Sequence, residues 1–227
     1  MRMMKSFVLL FVLLGLLESC NQEDGLSYNH MIVSLATVEH VSGNVFLLRL
    51  DNDTVLDPLV DDASSFVPVN AQRVMINYTI LSKNIVPNSS YNYKIRLNDV
   101  TNVLTKEITF FSPATNDSIG NDPIDVTDCW IGSHYVNVTF TYYGSSTNHL
   151  ISLMKLTSGG ATADSTVYLE LRHNAYRDFS TNMNKGVISF DISSLQKSNG
   201  APVKIMVTTK GTNGVEKVYS LIYKYMV

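Results

Sequence analysis

The chain has 227 residues, 45% of them hydrophobic and 16% charged, with a formal net charge of −3. The apolar share excludes wholesale disorder, and the length allows one large domain or two small ones. Two cysteines cannot build a disulfide framework, and a mildly acidic chain lacks the basic surplus by which proteins hold phosphate backbones, so nucleic acid is not an expected partner.

The N-terminus reads as an address. Arg2 and Lys5 precede an apolar run from Phe7 to Leu17, shorter than the ~20 residues that span a bilayer but right for a secretory signal. The run ends in Leu17-Glu18-Ser19-Cys20, which resembles a bacterial lipobox, with Glu18 departing from the usual small or aliphatic residue. The resemblance implies a signal peptide over 1–19 and acylation at Cys20. Several acyl chains, at ~0.8 kcal/mol per buried methylene, make a firm anchor. Residues 20–29 then form a polar tether, and its acidic Glu23-Asp24 resembles the surface-export signals of Bacteroidetes lipoproteins. The expected location is the outer membrane, on its periplasmic face or at the cell surface, with the membrane as partner. With Cys20 acylated, Cys129 is the remaining thiol. It opens an apolar strand beside Trp130, so a buried, inert state is expected.

From residue 30 onward the hydrophobic pattern has period two. Strands are expected near 31–40, 44–50, 73–82, 91–98 and 102–111, and again near 130–143, 149–156, 166–174, 186–192, 202–210 and 215–226. Val136, Val138 and Phe140 alternate with Asn137 and Thr139; Val167, Leu169 and Leu171 alternate with Tyr168, Glu170 and Arg172. Turn formers such as Ser158-Gly159-Gly160 and Thr212-Asn213-Gly214 separate the runs. No amphipathic helix of three turns is evident, and Ser193 to Ser198 suits one short turn. The predicted fold class is all-β: an N-terminal OB-like barrel over 30–112, a linker over 113–128 containing Pro113 and Pro123, and an antiparallel β-sandwich over 129–227.

The segment Asp117-Ser-Ile-Gly-Asn-Asp-Pro-Ile124, followed by Trp130-Ile-Gly-Ser-His-Tyr-Val-Asn-Val138, resembles the centre of NigD-like lipoproteins of Bacteroidetes. Val33 to Val38, Gln72 to Tyr78 and Asn148 to Leu153 support it in the family's order. The resemblance implies an OB-like domain followed by a β-sandwich. It also carries the suggestion of bacteriocin immunity attached to the founding member, although kinship does not fix function. It brings no catalytic residues.

Other chemistry is sparse. Asp51-Asn52-Asp53-Thr54-Val55-Leu56-Asp57 is rich in oxygen, but Leu56 stands where a calcium loop needs glycine, and a hairpin turn between Leu50 and Val55 explains the run better. Asp117, Asp122, Asp125 and Asp128 suit turns and capping. The histidines at 30, 40, 134, 149 and 173 show no zinc-protease spacing, although His134 and His149 could approach across a hairpin. No nucleophile elbow and no phosphate loop is present, so no catalytic residue, metal site or cofactor is expected. Glycosidase carboxylates are not paired in any evident motif, which leaves a glycan-active enzyme as the minor alternative. Tyr168, Glu170 and Arg172 on one strand face are the candidate ligand-facing residues, for a glycan or a protein partner. Tyr219, Leu221, Tyr223 and Tyr225 read as core. Thr54, Ser118 and Ser165 each follow an aspartate and precede Val55, Ile119 and Thr166; all three resemble Bacteroidetes O-glycosylation sites. The function expected from these residues is a non-catalytic binding module of the cell envelope.

Overall fold

The computed structural model describes residues 30–42, 45–110, 116–145, 147–156, 166–178 and 180–225. Cys20, the tether, Ser165 and the turns at 43–44 and 158–160 lie outside the described residues. Alternating β-branched and aromatic residues do what their pattern dictates, and the described chain is nearly all-β. Its helices are a four-residue turn, α1 (Asn116–Ile119), and a 3₁₀ turn at Ser193–Leu195, within the span where one short turn was expected.

The first unit is a closed five-stranded barrel in the order β1-β2-β3-β5-β4. Its strands are β1 (Ile32–Ser42), β2 (Val45–Leu50), β3 (Val55–Asp61), β4 (Arg73–Lys83) and β5 (Tyr93–Asn102). The interior is filled by alternate residues: Ala36 and Val38 from β1, Leu48 from β2, Leu56 from β3, Val74 and Ile76 from β4, Ile95 and Leu97 from β5. The second unit stacks two sheets. One is β14-β13-β11-β10-β7 and the other β6-β12-β9-β8. The strands are β6 (Leu104–Glu107), β7 (Thr109–Phe110), β8 (Asp125–Gly132), β9 (Tyr135–Tyr143), β10 (Leu150–Lys155), β11 (Val167–Asn174), β12 (Met183–Asp191), β13 (Val203–Lys210) and β14 (Glu216–Tyr223). Val136, Val138, Leu153, Leu169, Ile188, Phe190, Ile205 and Tyr223 fill the space between the sheets. Tyr219, Leu221 and Tyr225 pack against that core, as their pattern suggests.

The structure departs from the sequence reading in five places. β3 was missed, because Asp57, Pro58 and Asp61 dilute its pattern. Pro58 is tolerated at a bulge, where the parallel register with β5 shifts between Pro58 and Val60. The stretch 102–111 is not one barrel strand. β5 ends at Asn102, and β6 and β7 pair with β12 and β10, so the second unit begins at about residue 104 rather than after 112. The expected linker is largely structured: α1, a stitched segment over 120–124 and the start of β8 occupy it. The expected strand 130–143 is a hairpin of β8 and β9 that turns at Ser133, whose φ is +53°. The sandwich is also mixed rather than purely antiparallel, since β6–β12, β7–β10 and β11–β13 run parallel. β6 and β7, which follow the barrel in the chain, lie at the edges of the two sheets.

Cys129 lies in the core at 6% exposure. Burial, with the Asp128 charge adding to it, pushes its thiol up to about 12. Because the thiolate is the reactive form, a maleimide or disulfide reagent is expected to leave Cys129 unmodified at neutral pH in the folded protein carrying Cys20→Ser. Labelling should complete only in denaturant, and rapid labelling of the native chain would contradict the burial.

Candidate functional site

Two polar constellations stand out, and they do different work. The first joins the two units. Arg73, at the start of β4, has a side chain with no solvent exposure and forms an ion pair with Asp51 from the β2–β3 turn. The guanidinium also donates to Asn137 Oδ1 at 3.0 Å, to Thr37 Oγ1 at 3.2 Å and to Ser189 Oγ at 3.4 Å, and it lies 4.9 Å from the ring centre of Tyr135. Asp51 Oδ2 in turn accepts from Trp130 Nε1 at 3.1 Å and from Asn137 Nδ2 at 3.0 Å. Ser189 Oγ donates to Asn137 Oδ1 at 2.7 Å. The barrel supplies the ion pair and the sandwich supplies the amide, indole and hydroxyl that satisfy it. Gly132 is required beside it, since a Cβ there would lie 2.0 Å from Asp51 Cγ. The turn that the sequence predicts around Asp51 is present: Leu50 N–H donates to Thr54 O and Asp53 N–H to Leu50 O. Its buried partner 22 residues away was not legible.

The second constellation lines a cleft of about 660 Å³ on the sandwich, bounded by Asp122, Tyr143, His173, Tyr176, Asp178 and Thr212. One wall is the segment 118–123, stitched to the end of β11. Arg172 Nε donates to Gly120 O at 2.6 Å, Asn174 Nδ2 to Ser118 O at 2.9 Å, Asp122 N–H to His173 O at 2.8 Å and Ala175 N–H to Asp122 Oδ2 at 2.8 Å. Gly120 has φ +73°, and a Cβ there would sit 2.6 Å from that of Asn174. The opposite wall is the loop after β11, where Tyr176 and Arg177 hold φ of +51° and +63°. Two successive non-glycine residues in the left-handed region cost of order 1–3 kcal/mol each, and such strain clusters at functional sites. The tyrosines at 143 and 176 stay about half exposed at the rim.

Behind the cleft sits a chain of buried imidazoles. His173 Nδ1 lies 3.0 Å from Pro123 O, His173 Nε2 lies 2.9 Å from His149 Nδ1, and His149 Nε2 lies 3.5 Å from Asp178 Oδ2. Asp178 gathers the loop between β9 and β10: Ser145 N–H at 2.7 Å, Ser145 Oγ at 3.0 Å and Thr147 N–H at 3.3 Å all donate to it. These bonds, led by the Ser145 N–H, draw its carboxyl down to about 2. Burial lowers His173, only partly countered by its bond to Pro123 O. His149 packs against Gly144, where a Cβ would approach Nε2 to 2.8 Å.

The sequence-selected residues fall partly into place. Tyr168, Glu170 and Arg172 do share the outer face of β11, and Tyr168 is 42% exposed. Arg172 is buried, however, held by Gly120 O and by Glu170 at 3.2 Å, because α1 packs over β10 and β11 on that face. Met154, on the side of β10 opposite Leu153, is fully buried. The cleft lies beyond the far end of that strand, so the ligand-facing set and the cavity are different places. His149 meets His173 rather than His134, which stands beside Tyr135 and 4.0 Å from Asp191. Ser118 is exposed on α1, and Thr54 is half-buried in the β2–β3 turn. Among the described residues, no group of three His, Cys, Asp or Glu is placed to hold a metal ion.

Comparison with known proteins agrees with this architecture. Residues 35–103 match the NigD-like N-terminal OB domain and residues 107–223 the NigD-like C-terminal β-sandwich domain. These limits agree with the strand pairing, which hands the chain from barrel to sandwich near residue 104. No curated protein matches. Among solved structures, a candidate toxin-related protein of Parabacteroides distasonis is 32% identical, with a TM-score of 0.70 over 86% of this chain and 94% of that one. A NigD-like immunity protein of Bacteroides caccae is 19% identical, with a TM-score of 0.67 over 85% and 96%. A candidate lipoprotein of Bacteroides fragilis is 15% identical, with a TM-score of 0.63 over 87% and 100%. The last two share the fold.

Proposed function

Because the chain belongs to the NigD-like family, we propose that it is a lipid-anchored binding module of the cell envelope that recognises a ligand without transforming it. The observation that carries this reading is the cleft: a concave site of ligand size with half-exposed tyrosines at its rim and fixed polar groups at its base. The lining suits a saccharide. A sugar ring offers an apolar C–H face to a tyrosine and hydroxyls to Asn174, Ser180 and Thr212. Asp122 and Asp178 are held by backbone donors, an arrangement that fixes walls rather than activates water. The lipobox-like Leu17-Glu18-Ser19-Cys20 supports outer-membrane attachment through acylated Cys20, and the fold shared with a candidate lipoprotein accords with it.

A glycan array probed with the soluble chain from residue 21 tests the ligand class. Retention of a defined set of saccharides is expected, with Tyr176→Ala weakening it about tenfold, the scale of losing one aromatic anchor. Silence across the array would remove the glycan reading in favour of a protein ligand. Metabolic labelling with a palmitate analogue should mark the wild type and not Cys20→Ala.

A second reading is bacteriocin immunity, favoured by the 32% identity to a toxin-related protein and by the family's name. A deletion strain challenged with toxins of neighbouring strains separates the two. Unchanged survival speaks against immunity.

A further inference from the structure

The row Pro123 O, His173, His149, Asp178 contains three contacts and four ring nitrogens. The first contact is to a carbonyl, so His173 Nδ1 must carry a hydrogen. The second lies between two ring nitrogens 2.9 Å apart, so one of them must carry a hydrogen. The third faces a carboxylate oxygen, so His149 Nε2 must carry one as well. Three contacts need three hydrogens, and two neutral imidazoles hold two. If both rings are neutral, one buried acceptor points at another. His149 Nε2 is the atom left over: its side chain is 2% exposed, and it lies 3.5 Å from Asp178 Oδ2 without a hydrogen-bond partner.

We infer that the His149–His173 pair is a one-proton site, holding a third ring hydrogen on His149 Nε2 that pins the β9–β10 loop and the loop after β11 together through Asp178. The surroundings agree from every side. β9 contributes Tyr142, whose ring centre is 4.7 Å from that of His149 and 6.0 Å from that of His173, and which brings no charge at neutral pH. The segment 120–124 contributes Asp122, which favours a cation on His173. The loop after β11 contributes Asp178, ionised down to about 2, with Arg177 on the cleft rim. On β11 itself, Arg172 is turned to Gly120 O and Glu170, while from β13 Lys210 reaches Asn121 O at 3.3 Å. Burial disfavours charge on His173 and leaves it the neutral member, donating from Nδ1 and accepting at Nε2. The extra charge therefore sits at the end beside the carboxylate, where it is balanced.

The cleft inherits this. His173 and Asp178 both line it, and with the proton in place the charges of Asp122, Asp178, Arg177 and the imidazole pair cancel. Loss of the proton leaves a lone pair opposed to a carboxylate and a net negative lining, and the loop carrying Ser145 and Thr147 loses one of its ties. This inference rests on hydrogen count and geometry and holds whatever ligand fills the cleft.

The test is long-range ¹H–¹⁵N spectroscopy of the imidazoles in the whole soluble chain. At about pH 6, just below the ordinary histidine value near 6.5, His173 should show a single protonated nitrogen, Nδ1, and His149 should show both nitrogens protonated. Raising the pH to about 9 should convert His149 Nε2 to the bare form. Over the same range the protection of the Thr147 and Ser145 amides should fall about tenfold beyond the base-catalysed intrinsic change. Asp178→Asn provides the second arm, because it removes the charge that balances a cation on His149 while its side-chain oxygen can still accept from the Ser145 and Thr147 amides. In that variant the doubly protonated His149 signal should be lost at a lower pH than in the wild type, and the step in amide protection should move with it. A His149 that is singly protonated at pH 6 in the wild type overturns the inference. So does a step in Asp178→Asn at the same pH as in the wild type.

Discussion

Replacing Arg73 with methionine is expected to destabilise the folded chain by about 3–5 kcal/mol, the range seen when one partner of a buried ion pair is removed. Methionine fills most of the space but leaves Asp51 charged, with only the indole of Trp130 and the amide of Asn137 to meet it. The Asn137 and Ser189 groups, both fully buried, lose a donor at the same time. These groups come from both units, so the loss falls on their junction. Thermal unfolding followed by Trp130 fluorescence and by far-ultraviolet circular dichroism should then give two separated midpoints. Trp130 reports the junction directly, because its Nε1 binds Asp51. Coincident midpoints with a loss below about 1 kcal/mol, the scale of an exposed pair, would mean that Arg73 is solvated rather than built in. Asp51→Ala should cost about as much, and the double variant with Arg73→Met less than the sum, as expected within one network.

The second large effect is expected in the sandwich core. Phe190→Ala should cost about 3–5 kcal/mol, through lost transfer energy and the cavity left behind. Phe190 has no exposure, and it is paired with Val136 on β9 and with Lys106 on β6. It therefore sits where the strand that arrives from the barrel joins the sheet. Urea unfolding should show the sandwich opening first, with the barrel core around Leu48, Ile76 and Leu97 losing protection later. Hydrogen exchange resolved by residue distinguishes the units. Equal loss of protection in β2 and β12 would mean that the two cores unfold as one body.

pH enters through Asp178. Its carboxyl is lowered, so the tie between the two loops is fully present above the ordinary aspartate range, near 4. It fades as the pH falls toward about 2.

Much of the fold was legible in alternation. The buried Val136, Val138 and Phe140 on β9, and Leu169 and Leu171 on β11, are the residues that period two selects. Cys129 is the buried thiol its neighbours imply. The miss at β3 has a definite cause: a strand carrying Pro58 and the aspartates at 57 and 61 looks like a loop, and only its parallel pairing with β5, some 37 residues on, makes it a barrel stave. The transfer of β6 and β7 to the sandwich was equally hidden, because Leu104 and Phe110 are exposed edge positions whose sequence says strand but not whose sheet. Arg172 stands on the outer face of β11, and at that end of the strand the face is covered by α1 and the segment after it.

Local pattern was enough to locate the strand-forming runs, the faces they bury and the kinship to NigD-like proteins. Each of these depends on neighbours within a few positions or on the order of short segments. The tertiary structure decided which strands close the barrel, that Arg73 and Asp51 join the two units, and that His149 and His173 form a row ending on Asp178. Side-chain period reports whether a residue is inside. It carries no information about which distant polar group shares that interior, and here burial makes such pairings obligatory.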